Sequence, residues 1–171
     1  MSLRPQTANP APGLIPGPVL HSAAEAMKHA TATPKKILIV DDSILVRKTL
    51  GMKLKSSGYD VLEAADGGTA VSTVRRERPD LILLDISFPP DVGHGGGVSW
   101  DGFLIMAWLQ RMEEAKGIPV FIITGSTNEA DKTRSAAAGA KGFFQKPIDN
   151  DQLLAAIRRT LGQEDATDSS L

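Results

Sequence analysis

Polar side chains that can carry out chemistry stand at the ends of four apolar runs of this chain. They are Asp41 and Asp42, Asp85, Thr124 and Lys146. Carboxylates bind hard divalent cations, and an ammonium or a hydroxyl group can hold a phosphoryl oxygen. If the fold brings the four run ends together, the sequence predicts a site for a metal ion and a phosphoryl group.

The three aspartates indicate what such a site needs. Packed together without a cation, they repel one another and resist joint ionisation. Mg²⁺, or Mn²⁺ in its place, supplies the missing charge, and the backbone carbonyl of Ser87 is placed to complete its ligand set. The Asp85 carboxylate can then attack phosphorus to give an aspartyl phosphate, with Lys146 as a second cation and Thr124 as a hydroxyl donor.

The segments that must position these groups alternate strictly along the chain. Short apolar runs predict strands, and periodic apolar residues such as Val46, Leu50 and Leu54 predict helices. Five strand–helix pairs in this order predict a doubly wound, five-stranded parallel sheet, whose carboxyl edge carries the reactive groups. The predicted strands are 35–41, 59–65, 81–85, 119–124 and 142–146, and the predicted helices are 43–56, 67–77, 102–115, 128–138 and 150–161.

Composition places one folded domain between two tails. Residues 1–34 hold six of the eleven prolines and few charges, which predicts a mobile tail, and the polar stretch 163–171 predicts a second one. The domain is expected at 35–162. A net charge of −1 gives no reason to expect nucleic acid or a membrane as partner, and the absence of cysteine excludes disulfides and thiolate chemistry. With no signal sequence and no apolar run of about 20 residues, a cytoplasmic protein is expected.

Five stretches of the domain resemble the receiver domain of bacterial response regulators, in particular the chemotaxis-type receivers of two-component systems. They are VDDS at 40–43, LLDISFP at 83–89, DGF at 101–103, IITGS at 122–126 and GFFQKP at 142–147. The resemblance implies a flavodoxin-like (βα)5 fold. It also implies a protein that catalyses only its own phosphorylation and dephosphorylation. Its implied partners are a sensor histidine kinase or a histidine phosphotransfer protein, and a downstream target that the sequence does not identify.

The same resemblance assigns roles to individual positions. Asp85 is the implied phosphoacceptor, Asp42 a direct metal ligand, and Asp41 a ligand acting through water. Thr124 and Phe143 are the implied switch pair, whose hydroxyl turns to the phosphoryl oxygens while the aromatic ring moves inward. The phosphate-binding cation is Lys146, and it is joined to Pro147 by an implied cis peptide bond, which is rare among X–Pro bonds.

One segment departs from the family pattern. Where the family has a short turn before the DG pair, this chain has PPDVGHGGGVSW, which amounts to an insertion of about nine residues at about 90–100, beside the expected site. Such an insertion is either a tolerated surface loop or a device that gates access. We expect Val98 or Trp100 to pack on Leu104 and Trp108 of the following helix, with a homodimer or another partner as the alternative cover for that apolar pair.

The sequence leaves open alternative functions both within this family and outside it. Within the family, the chain is either a diffusible messenger that binds a target when phosphorylated or a phosphorelay intermediate that passes its phosphoryl group to a histidine phosphotransfer protein. Outside it, an aspartate-nucleophile phosphatase of the haloacid dehalogenase type needs a second aspartate where this chain has Ser87. A flavodoxin-like cofactor carrier is opposed by the acidic DDSILV after the first strand.

Overall fold

Apolar runs become buried strands, and amphipathic segments become the helices between them. The structure is a computed structural model that describes residues 33–87 and 101–163. Within these ranges, the strands are β1 (Lys36–Val40), β2 (Asp60–Ala64), β3 (Leu81–Asp85), β4 (Val120–Thr124) and β5 (Gly142–Gln145). The helices are α1 (Ile44–Ser56), α2 (Gly67–Glu77), α3 (Gly102–Arg111), α4 (Glu129–Ala137) and α5 (Asn150–Thr160).

The strands form one parallel sheet in the order β2-β1-β3-β4-β5. β1 and β3 are neighbours at its centre, with Val40 paired to Leu84. The chain order therefore reverses at β1, and the sheet is doubly wound. The predicted fold class is confirmed.

Alternation along the central strands divides the core between the two faces of the sheet. Ile37 and Ile39 point to one face, where they pack against residues of α1 and α5. Leu38 and Val40 point to the other face, where residues of α2 and α3 cover them. Because β1, β3 and β4 are buried on both faces, their sequences are continuous apolar runs.

The helix termini follow their local sequence. Asp149 is the N-cap of α5, because its side chain accepts hydrogen bonds from the backbone N–H groups of Asp151 and Gln152. After α1, Gly58 adopts a φ of +89°, a left-handed conformation that favours glycine and ends the helix.

The third helix differs from its prediction. It ends at Arg111 rather than Ala115, because Met112 takes an extended conformation and a short 3₁₀ turn (Glu113–Ala115) follows. This turn buries both Met112 and Ala115, which a continuous helix need not do. The spacing of the sequence predicts a core-facing stripe of Phe103, Met106 and Leu109 or Gln110. Met106 and Leu109 are buried as predicted, Phe103 is partly buried against the core, and Gln110, the alternative to Leu109, is exposed. The other buried residues of α3 are Gly102 and Ile105.

Several predictions fall outside the described residues. These are the N-terminal tail up to residue 32, most of the C-terminal tail and the glycine-rich insertion with Val98 and Trp100. In the described part of α3, Leu104 is half-buried and Trp108 is 42% exposed. The packing of the insertion on this pair therefore stays a prediction. None of the helices in the described residues has the length and apolar character needed to cross a bilayer.

Candidate functional site

Three carboxylates meet at the carboxyl edge of the sheet. β1 and β3 are adjacent and parallel, so Asp41 and Asp42 after β1 lie beside Asp85 at the end of β3. Oxygen atoms from all three side chains lie within 4.8 Å of one another. Asp41 is fully buried and Asp85 is 3% exposed, whereas Asp42 is exposed to solvent. The three aspartates thus lie close together, as the sequence predicts.

Lys146 connects two of these carboxylates. Its Nζ lies 2.6 Å from Asp41 Oδ2 and 2.6 Å from Asp85 Oδ2. Lys146 follows β5 directly, and its backbone N–H donates to the Thr124 carbonyl at 2.7 Å. The bond between Lys146 and Pro147 is cis, the geometry that the family resemblance implies.

Burial and charge act on the titration of this cluster in opposite directions. Burial raises the pKa of the Asp41 carboxyl above its ordinary value, although the hydrogen bond from Lys146 works against this rise. Burial alone would lower the pKa of the Lys146 ammonium, but its hydrogen bonds to Asp41 and Asp85 outweigh that effect and the pKa is raised. The ammonium balances only part of the charge of three carboxylates, so the cluster keeps a negative charge that a divalent cation can offset.

Backbone amides hold the two buried carboxylates in place. The N–H of Ser43 donates to Asp41 Oδ1 at 2.8 Å, and the N–H of Ser87 donates to Asp85 Oδ1 at 2.7 Å. In each case the donor lies two residues after the aspartate, within the turn that leaves the strand. Each buried carboxylate therefore has one oxygen on a backbone amide and the other on Lys146.

A pair of hydroxyl groups lies at the ends of β3 and β4. Thr124 is fully buried, and its Oγ1 accepts a hydrogen bond from the N–H of Ser126 at 3.0 Å. The same oxygen lies 2.8 Å from Ser87 Oγ. From the sequence, only the backbone carbonyl of Ser87 was predicted to take part in the site. A side-chain role was foreseeable from a hydroxyl residue two positions after a strand-terminal aspartate.

Arg47 is a second residue at the site that was not predicted from the sequence. Its Nη1 donates to the backbone carbonyls of Asp41 and Asp42, at 2.6 and 3.0 Å. Its Nε lies 3.6 Å from a carboxylate oxygen of Glu63 on β2. Arg47 thus fixes the turn that carries both aspartates. The available signal was an arginine in the first turn of the helix that follows DD.

Gly102 allows α3 to begin directly against the carboxyl end of β3. A Cβ at this position would lie 2.6 Å from the Asp85 carbonyl oxygen and closer still to the Ile86 Cα. Only glycine fits this approach. Asp101 caps the helix by accepting from the Leu104 N–H at 2.6 Å, so the DG pair has a steric and a capping function.

The predicted switch residue Phe143 lies on β5, paired in register with Ile122 of β4. Its side chain is half-buried against the core on the α2–α3 face of the sheet. Thr124 pairs with Gln145 on the same two strands. The two residues thus belong to adjacent strands, and their coupling as a switch stays a prediction.

Comparisons with known proteins all find response regulators. The family model described as the response regulator receiver domain matches residues 37–158. The protein PilH of Pseudomonas aeruginosa is 36% identical over 126 residues, which cover 74% of this chain and 97% of PilH. The polar-differentiation response regulator DivK of Brucella anthropi is 30% identical over 129 residues, which cover 75% of this chain and 98% of DivK.

Solved structures agree with these relatives. The chemotaxis response regulator CheY4 of Vibrio cholerae superposes with a TM-score of 0.64 at 31% identity, and the match covers 75% of this chain and 99% of CheY4. Other curated relatives are longer. The chain spans about half the length of several that are named as transcriptional regulators.

Proposed function

The chain belongs to the response regulator receiver domain family, and we propose that it signals by accepting a phosphoryl group on Asp85. The observation that carries this proposal is the environment of that carboxylate. Asp85 is 3% exposed, one of its oxygens lies 2.6 Å from the Lys146 ammonium, and two further aspartates adjoin it. A carboxylate nucleophile beside a lysine and a cation-binding cluster suits phosphoryl transfer.

The proposed reaction forms a bond between a carboxylate oxygen of Asp85 and phosphorus. When the donor is a phosphohistidine, its P–N bond breaks and the imidazole nitrogen keeps the electron pair. When the donor is acetyl phosphate, a P–O bond breaks and acetate leaves. Lys146 and Thr124 are proposed to hold the phosphoryl oxygens, where the ammonium offsets negative charge and the hydroxyl donates a hydrogen bond. Attack of water on phosphorus later releases phosphate and restores the carboxylate.

The residues present fit a Mg²⁺ or Mn²⁺ ion. The oxygens of three carboxylates lie within 4.8 Å of one another, and Lys146 offsets only part of their charge. Hard divalent cations prefer such oxygen ligands. Asp41, Asp42, Asp85 and the backbone carbonyl of Ser87 would hold the ion. When bound, it would offset the charge of the carboxylates and the incoming phosphoryl oxygens.

We further propose that the phosphoryl donor is a sensor histidine kinase or a histidine phosphotransfer protein, and that output consists of phosphorylation-dependent protein contacts. Thr124 and Phe143 are the proposed switch pair. The similarity to PilH, DivK and CheY4 over nearly the whole length of each supports this assignment. A cytoplasmic location is part of the same proposal.

Phosphorylation of wild-type and Asp85→Asn protein tests the proposal. Both proteins are incubated with acetyl phosphate and Mg²⁺, and incorporation is followed by intact-mass spectrometry. We expect a phosphorylated species in the wild type and none in the variant. Asp60→Asn is the matched control, since Asp60 is exposed at the amino end of β2, away from the proposed site, and it should be labelled as the wild type is. Unchanged labelling of Asp85→Asn would show that the phosphoacceptor lies elsewhere.

A further inference from the structure

Ser87 links the proposed phosphoacceptor to the neighbouring strand through two hydrogen bonds. Its backbone N–H donates to Asp85 Oδ1 at 2.7 Å, and its side-chain oxygen lies 2.8 Å from Thr124 Oγ1. Thr124 is fully buried, whereas Ser87 is exposed. One residue therefore contacts both the nucleophile and the hydroxyl that is proposed to bind the transferred group.

The number of lone pairs at Thr124 determines what this contact can do. A hydroxyl oxygen accepts two hydrogen bonds and donates one. The Ser126 N–H occupies one acceptor position of Thr124 Oγ1. If the Ser87 hydroxyl donates to the second acceptor position of Thr124 Oγ1, neither serine accepts the Thr124 hydroxyl proton. Thr124 can then donate that proton to a phosphoryl oxygen. If instead Thr124 donates to Ser87, that hydrogen bond must break before Thr124 can donate to a phosphoryl group.

We propose that the Ser87 side chain is a positioning residue that donates to Thr124 and so directs the Thr124 proton toward the phosphoryl group on Asp85. This inference rests on the proposed function. Solvent can supply the remaining partners of the Ser87 hydroxyl, because Ser87 is exposed. Ser87 thus acts through Thr124 and has no need to touch the phosphoryl group itself.

The affinity for beryllofluoride, used with Mg²⁺ as a phosphoryl mimic, tests the direction of this hydrogen bond. Ser87→Ala should bind it about three- to tenfold more weakly than the wild type, the range expected when one neutral hydrogen bond is lost. Ser87→Thr restores a hydroxyl at an exposed position and should bind nearly as the wild type does. The thermal midpoint without the mimic should be the same in all three proteins, because a surface hydroxyl contributes little to stability.

A double-mutant cycle tests whether Ser87 acts through Thr124. In a Thr124→Ala background, Ser87→Ala should have no further effect on beryllofluoride binding, because the hydroxyl that it orients is gone. An equal loss in both backgrounds would overturn the inference, and so would wild-type or tighter binding by Ser87→Ala. Tighter binding would mean that Thr124 donates to Ser87. These outcomes are distinct from failure of the proposed function, which would appear as continued labelling of Asp85→Asn by acetyl phosphate.

Discussion

Replacing Lys146 by methionine removes the cation that bridges two buried carboxylates while keeping a long apolar side chain. The ammonium lies 2.6 Å from an oxygen of Asp41 and 2.6 Å from an oxygen of Asp85. In the variant without a divalent ion, both carboxylates keep their backbone hydrogen bonds and lose their neutralising partner. We expect Lys146→Met to be less stable than the wild type under these conditions.

The size of this loss follows from the geometry. At 2.6 Å and an effective dielectric constant of about 20, each ion pair has a Coulomb energy of about 6 kcal/mol. Desolvation of three charged groups opposes this energy, and the Lys146 side chain is 23% exposed and therefore screened. Removing one partner of a buried ion pair costs about 3–5 kcal/mol. We expect a loss at the lower end, about 3 kcal/mol at neutral pH, because of that exposure.

The loss should depend on pH in a defined direction. Burial raises the pKa of Asp41, and Lys146 opposes the rise, so removing Lys146 raises this pKa further. A carboxyl with a raised pKa in the folded state stabilises the fold below its unfolded pKa and ceases to do so as the pH rises through its folded pKa. The deficit of Lys146→Met should therefore be smaller at about pH 5 than at about pH 7.5.

Urea unfolding in EDTA at the two pH values measures the loss of stability and its pH dependence. The same experiment in Mg²⁺ measures how much the ion stabilises each protein. A ligand at ten times its Kd stabilises the folded state by about 1.4 kcal/mol. Since the unpaired carboxylates of Lys146→Met should bind the ion more tightly, the variant should gain more from a given Mg²⁺ concentration than the wild type gains. Lys141→Met is the matched control. Lys141 is exposed and precedes β5, the strand that Lys146 follows, and this variant should behave as the wild type does. Wild-type stability of Lys146→Met in EDTA, or an equal gain from Mg²⁺, would refute this account of the cluster.

Three further substitutions test single elements of the site and its scaffold. Asp42→Ala should remove stabilisation by Mg²⁺ while changing the unfolding free energy in EDTA by less than about 0.5 kcal/mol, because Asp42 is exposed; thermal melts with and without Mg²⁺ check this. Gly102→Ala should destabilise the protein by at least about 1–3 kcal/mol in urea unfolding, because its Cβ meets the backbone of Ile86, whereas Gly125→Ala, with open space at the Cβ, should not. Asp149→Ala should cost about 0.5–2 kcal/mol in the same assay through loss of the α5 cap; a stability equal to the wild type would contradict its capping role.

The three central strands, β1, β3 and β4, were predictable because they are buried on both faces of the sheet. LILLD and VFIIT are apolar up to their last residue, and no amphipathic surface element has that pattern. Once such runs alternate with helices, right-handed crossovers bring the strand ends to one edge of the sheet. The placement of Asp41, Asp42 and Asp85 at the carboxyl edge follows from chain order, whereas their convergence also requires that β1 and β3 be neighbours, as they are in the sheet.

Features that depend on tertiary contacts were harder to predict from the sequence. The end of α3 is determined by the burial of Met112 and Ala115, which a helical periodicity continuing through EEA does not reveal. Arg47 is one of several basic residues on α1, and its hydrogen bonds to the carbonyls of the DD turn depend on how that helix leaves the strand. The Ser87–Thr124 pair joins residues 37 positions apart, whose proximity only the strand register determines.

The unfavourable charge of the carboxylate cluster lies beside β1 and β3, which are neighbours at the centre of the sheet. Asp41 is a fully buried carboxyl with a raised pKa, so its ionised form destabilises the folded protein, and Lys146 offsets this only in part. The strands that carry the aspartates, β1 and β3, have nearly every residue buried, which supplies hydrophobic stabilisation next to the unfavourable charge. A residual negative charge of this kind, held at the carboxyl edge of the sheet, is typical of functional sites that bind a cation. The electrostatic imbalance of the site is therefore an argument for cation binding that does not depend on any relative.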